Sequence, residues 1–84
     1  MSQRIALVED DLAIRENYAA ALKKQGYDVI CYPNRHQAEL GFAQRLPDLA
    51  IIDIGLQDEI DGGFMVCQQL RSLSKTLPII FFTA

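Results

Sequence analysis

Four apolar runs of strand length punctuate the chain: Arg4–Val8, Tyr27–Tyr32, Leu49–Asp53 and Ile79–Phe82. Leu49–Asp53, bounded by Pro47-Asp48 before it and Gly55 after it, has the continuous pattern of a strand buried on both faces of a parallel sheet. Between the runs the period changes. From Leu12, the residues Ile14, Tyr18, Ala21 and Leu22 recur at helical spacing, with Arg15, Glu16, Lys23 and Lys24 elsewhere, Asp10 or Asp11 as a cap and Gly26 as the stop. Asn34 caps a second predicted helix that runs to about Arg45 and is ended by Pro47, with Ala38, Leu40, Phe42 and Ala43 available for packing. A third is predicted from Phe64 to about Leu73, turning Val66, Cys67 and Leu70 inward. Tyr18 and Phe42 are expected in the core, and Gly62 and Gly63 are expected to supply positive φ at a turn.

The predicted order is β-α-β-α-β-α-β, and helix-length crossovers between strands call for right-handed connections and a parallel sheet. The fold class is therefore α/β, doubly wound, and a strand order of 2-1-3-4 would make the first and third strands neighbours. The chain reads as one domain over residues 1–84 that stops on a strand, incomplete at its C-terminus. An apolar edge left there invites pairing, so self-association through the fourth strand is an expectation.

Half of the 84 residues are hydrophobic, enough for one core with little margin. A net charge of −3 with scattered Lys and Arg gives no basic stripe, which argues against direct nucleic-acid binding. The apolar runs are too short for a spanning helix and the N-terminus lacks a signal peptide's apolar block, so no membrane role and a cytoplasmic location are expected. Cys31 and Cys67 stand in no metal-ligand spacing and read as buried small hydrophobes, while His36 reads as a solvated helix position.

The chemistry lies where the runs end. Arg4–Val8 runs into Glu9-Asp10-Asp11, and Leu49–Ile52 into Asp53. With the first and third strands adjacent, Glu9, Asp10 and Asp53 share one crevice at the carboxyl edge of the sheet, where ligands collect in open α/β folds. Carboxylates so close raise one another's pKa unless a cation screens them, and oxygen-only ligands open to water suit Mg²⁺. A carboxylate beside a metal can also accept a phosphoryl group as an acyl phosphate. Asp53 is the candidate nucleophile, Thr83 at the end of the fourth strand can hydrogen-bond the new phosphate, and the Ala84 amide can assist. Asp11, Asp58, Glu59 and Asp61 read as solvated loop charges.

The segments Ala6-Leu7-Val8-Glu9-Asp10-Asp11, Pro47-Asp48-Leu49 through Asp53, Asp61-Gly62, Leu70-Arg71 and Leu77-Pro78-Ile79-Ile80 to Thr83-Ala84 together resemble the receiver domains of bacterial two-component response regulators. The resemblance covers the whole chain and implies a flavodoxin-like fold, truncated after the fourth strand. It also implies that Asp53 is the phosphoacceptor, that Asp10, Asp53 and the Gly55 carbonyl ligate magnesium with Glu9 as a direct or water-mediated ligand, and that Thr83 is the switch hydroxyl. The implied partner is a sensor histidine kinase and the implied role is to switch an output region, as a phosphoacceptor that assists its own phosphoryl transfer rather than as an enzyme. The chain departs from the pattern in the loop after Asp53, where Gln57 stands at a position usually held by proline and the loop is one or two residues longer. Such domains continue through a further helix, strand and helix and carry a lysine that pairs with the phosphate, so this segment alone is expected to phosphorylate poorly.

Two other classes compete. A phosphatase of the haloacid dehalogenase type also uses a strand-terminal Asp with magnesium, but generally places a second Asp two residues on, where this chain has Gly55. A phosphorylation-independent interaction or dimerisation module would rest on the apolar fourth-strand edge. A dinucleotide-binding domain needs a glycine-rich turn after the first strand, and Glu9-Asp10-Asp11 is the opposite.

Overall fold

A computed structural model of the chain describes residues 3–54 and 62–82. Its elements are β1 (Arg4–Val8), α1 (Leu12–Lys24), β2 (Asp28–Tyr32), α2 (Arg35–Gln44), β3 (Leu49–Asp53), α3 (Gly62–Leu73) and β4 (Ile79–Phe82). All four strands pair in parallel, in the order β2-β1-β3-β4. The doubly wound order expected from the crossovers is the one observed, and its central pair is β1 and β3.

Register is what brings the acids together. The Asp48 carboxylate accepts from the Arg4 N–H at 2.7 Å, and the Asp48 N–H donates to the Arg4 carbonyl at 2.7 Å. That two-way clamp at the start of β1 and β3 sets Ile5 opposite Leu49, and the pairing runs on to Val8 opposite Ile52. A slip of one residue would turn every side chain to the other face. In the observed register the next step sets Glu9 beside Asp53.

One face of the sheet carries the main core. Ala6 and Val8 of β1 and Ala50 and Ile52 of β3 pack with Ala38 and Phe42 of α2, Val66 and Leu70 of α3, and Leu77. The alternate residues Ile5 and Leu7 are buried on the opposite face, as strand alternation requires. There α1 contributes one buried residue, Ala19. Tyr18, Ala21 and Leu22 with Ile51 and Phe82 instead line an apolar concavity of about 210 Å³.

Tyr18 is accordingly not a core residue: it is 45% exposed and meets Phe82 edge-on, with ring centroids 5.3 Å apart. Phe42 is in the core as expected. Leu40 and Ala43 of α2 face solvent, because only the Ala38–Phe42 side of that helix meets the sheet. Cys31 is exposed as well, since β2 is an edge strand with neighbours on one side only, and Cys67 is half-buried. His36 is a solvated helix position, as expected.

The helix ends follow their capping chemistry. Asp11, not Asp10, caps α1, accepting from the Ile14 N–H at 3.0 Å. At the other end Gly26, at φ +94, donates its N–H to the Lys23 carbonyl at 2.9 Å in the left-handed geometry that glycine tolerates. Gly62 and Gly63 do not form a positive-φ turn: they are the first residues of α3, which starts two positions before the expected Phe64. The Asn34 side chain accepts from the Gln37 N–H at 2.8 Å and caps α2. Asn34→Ala is expected to cost about 1 kcal/mol of stability, measured as a lowered urea midpoint with an unchanged slope. Among the described residues no helix is long and apolar enough to cross a membrane.

Candidate functional site

Glu9 stands one residue past β1. Its N–H continues the ladder by donating to the Tyr32 carbonyl at 3.1 Å, and its carbonyl accepts from the Arg15 guanidinium at 2.9 Å. One carboxylate oxygen, Oε1, accepts from the Asp11 N–H at 2.9 Å. The residue is wholly buried, and its other oxygen, Oε2, has no hydrogen-bond partner. Such an orphaned buried carboxylate oxygen costs free energy unless something binds it or a proton neutralises it. Burial, more than any other influence, pushes the Glu9 carboxyl up to about 7; the neighbouring carboxyls of Asp10 and Asp53 push the same way, against the stabilising Asp11 N–H.

Asp53 closes β3 and is 7% exposed. Its main chain lies opposite Phe82 of β4, and the next residue ties the strand end on two sides: the Ile54 N–H donates to the Phe82 carbonyl and the Ile54 carbonyl accepts from the Gly63 N–H, both at 3.1 Å. No side chain would fit at Gly63, because a Cβ there would lie 2.5 Å from the Asp53 carbonyl oxygen and 2.8 Å from the Ile54 Cα. The first turn of α3 is thus laid directly on the backbone of the strand end that carries Asp53.

Glu9, Asp10 and Asp53 come together as the sequence predicts. One oxygen of each lies within 4.8 Å of the others, and Asp10 is the most open to solvent of the three. The donors are all hard oxygens, two of the groups are buried, and one buried oxygen is unsatisfied. That combination fits a small divalent cation such as Mg²⁺, which takes a few carboxylates and completes its shell with water and phosphate oxygens. Gly55, proposed for a carbonyl ligand, and Thr83, proposed as the switch hydroxyl, lie outside the described residues, as do Asp58, Glu59, Asp61 and Ala84.

Two supporting residues escaped the pattern. Arg15 lies four residues after Asp11 in α1, a spacing that suggests a pair along the helix surface rather than a reach back to the Glu9 carbonyl. Gly63 looked like a turn residue, and only the packing of α3 against β3 shows that it is there for close approach.

A family model described as a response regulator receiver domain matches residues 5–84. The uncharacterized transcriptional regulatory protein YvcP of Bacillus subtilis is 41% identical over 81 residues, which cover 96% of this chain and 33% of that protein. The virulence transcriptional regulatory protein PhoP of Salmonella typhimurium is 32% identical over 81 residues, 96% of this chain and 35% of its own length. Among solved structures, the non-phosphorylated HemR receiver domain of Leptospira biflexa superposes with a TM-score of 0.89 at 31% identity, covering 99% of this chain and 65% of that one. The chain thus spans about a third of the length of these curated relatives.

Proposed function

From the premise that this chain belongs to the response regulator receiver domain family, we propose that Asp53 accepts a phosphoryl group from a phosphohistidine of a sensor histidine kinase, with Mg²⁺ held by Glu9, Asp10 and Asp53. The observation that carries the proposal is the convergence of those three carboxylates at the carboxyl edge of the central strand pair.

The Asp53 carboxylate is the nucleophile in this reading, which its position at the end of β3 and its low exposure support. In-line attack forms the O–P bond of an acyl phosphate as the P–N bond to the donor imidazole breaks, and the leaving nitrogen takes up a proton. When bound, the divalent ion supplies charge neutralisation between the anionic nucleophile and the anionic phosphoryl group. Glu9 and Asp10 would hold that ion together with Asp53, beside which the register of β1 against β3 sets them. The Gly55 carbonyl and the Thr83 hydroxyl belong to the same proposal as a further ligand and as the group that turns toward the new phosphate. Phosphorylation then biases a two-state equilibrium near the end of β4, which an output region of the longer protein reads. The role is that of a cytoplasmic signalling acceptor, one turnover per signal, rather than of an enzyme.

Asp53→Asn keeps the shape and removes the nucleophile. It is expected to abolish acyl-phosphate formation from a phosphorylated kinase in the full-length protein, read as acid-stable, base-labile radiolabel. Undiminished labelling of that variant would overturn the assignment.

A further inference from the structure

We infer that Arg15 is a positioning residue for the metal site, acting through the one peptide group that joins two of the proposed ligands. The inference rests on reading Glu9, Asp10 and Asp53 as a divalent-cation site.

The Arg15 guanidinium donates to the Glu9 carbonyl at 2.9 Å from a partly buried position. That carbonyl belongs to the peptide between Glu9 and Asp10, so its direction fixes ψ of Glu9 and φ of Asp10 together, and with them the directions in which both carboxylates project. On the other side of Glu9 the backbone is already held, its N–H donating to the Tyr32 carbonyl at 3.1 Å. A rotation of the Glu9–Asp10 peptide is therefore the natural way for the turn to relax. When all three acids are carboxylates, as cation binding requires, their oxygens within 4.8 Å of one another supply the push for that rotation, because separating like charges lowers their repulsion. Arg15 opposes it from α1, where its own N–H bonds the Asp11 carbonyl at 2.9 Å and Asp11 caps the helix. The ligand pair is thus braced against a helix rather than left on a free turn.

The charge of Arg15 and its bond have opposite effects on a cation site. A positive charge close behind the acids lowers their attraction for Mg²⁺, whereas holding the acids converged raises it. Removing the side chain therefore distinguishes the two roles by sign. Groups that orient metal ligands typically contribute ten- to a hundredfold to affinity, and Arg15 acts through the backbone rather than on a carboxylate, which places it at the low end.

The test is Mg²⁺ titration of the chain by calorimetry and amide chemical shifts, for the unsubstituted protein, Arg15→Met and Arg15→Lys, with the metal-free melting temperature of each recorded alongside. Arg15→Met keeps the aliphatic stem and is expected to bind Mg²⁺ about tenfold more weakly. Arg15→Lys keeps the charge and one donor, and is expected to fall between the two. Mg²⁺ affinity of Arg15→Met equal to the parent, with only the melting temperature lowered, would show a bond that serves stability alone and would overturn the inference. Tighter binding would show that the charge outweighs the positioning, and would overturn it too. Should Arg15→Met not fold, equal affinity of Arg15→Lys and the parent decides against the inference and a loss of a few-fold decides for it. Absence of saturable Mg²⁺ binding by the unsubstituted chain would instead remove the metal-site reading, and this inference with it.

Discussion

Without a divalent cation, the protein is expected to lose up to about 3 kcal/mol of stability as the pH is raised from about 5 to about 8, and millimolar Mg²⁺ is expected to restore most of it at the upper end only. The group responsible is Glu9, whose carboxyl is raised from 4.5 to about 7, chiefly by its burial. Between those values the folded chain holds a proton that the unfolded chain has released, so unfolding releases a proton and is favoured by rising pH. Stability from this group is highest below 4.5, declines through the interval and reaches its lowest level above about 7, where Glu9 is charged in both states. A bound cation reverses the slope, because it needs the ionised carboxylate and competes with the proton. Urea denaturation at the two pH values, with and without Mg²⁺, measures all four stabilities. A metal-free profile that is flat or rises with pH would contradict the placement of Glu9.

Gly63→Ala is the second large effect, an expected net loss of about 1 kcal/mol together with impaired acyl-phosphate formation. Two opposing terms decide the sign. Alanine is preferred to glycine within a helix by up to about 1 kcal/mol, which taken alone predicts stabilisation. The added methyl, however, would lie 2.5 Å from the Asp53 carbonyl oxygen, 2.8 Å from the Ile54 Cα and 3.0 Å from the Ile54 carbonyl oxygen. All three are main-chain atoms that no rotamer change can move aside, and overpacking of this kind typically costs about 1–3 kcal/mol. Helix α3 must therefore retreat, stretching the Gly63 N–H bond to the Ile54 carbonyl and displacing the strand end that carries Asp53. The urea midpoint and the rate of acyl-phosphate labelling report the two consequences separately. An unchanged midpoint would mean that the first turn of α3 yields at no cost.

Much of this arrangement can be read without coordinates, and the reason is burial. The central strands β1 and β3 are apolar because both faces are covered, and each run ends in a carboxylate, so Glu9, Asp10 and Asp53 announce themselves as breaks in the pattern. The misreadings occur where an apolar residue has no neighbour to cover it. Cys31 follows an apolar pattern, but the sheet places β2 at its edge, and Tyr18 follows the helical period of α1 on a face that is only partly closed. No local pattern states which strand lies at an edge, since that depends on the strand order. Arg15 and Gly63 were missed for a related reason: the first is defined by a bond to a carbonyl and the second by an excluded methyl group, and neither leaves a mark on hydropathy. The clamp of Asp48 on Arg4 is a third such case, a single polar residue that sets the register on which the whole acid cluster depends.

The pairing of β1 with both β2 and β3 also bears on the order in which the chain can fold. Arg4 pairs with Asp28, whereas Ile5 must wait for Leu49, a closure nearly twice as long. The entropic difference between the two is about 0.5 kcal/mol, a modest preference for pairing β1 with β2 first. A chain that has formed only β1, α1 and β2 already carries Glu9 and Asp10 in their turn, but meets no repulsion from Asp53. That repulsion first arises when β3 docks into the gap beside β1, and a cation that requires all three acids can bind only after this step. Bound Mg²⁺ is therefore expected to slow unfolding more than it speeds folding, read from the two arms of the chevron with and without the metal.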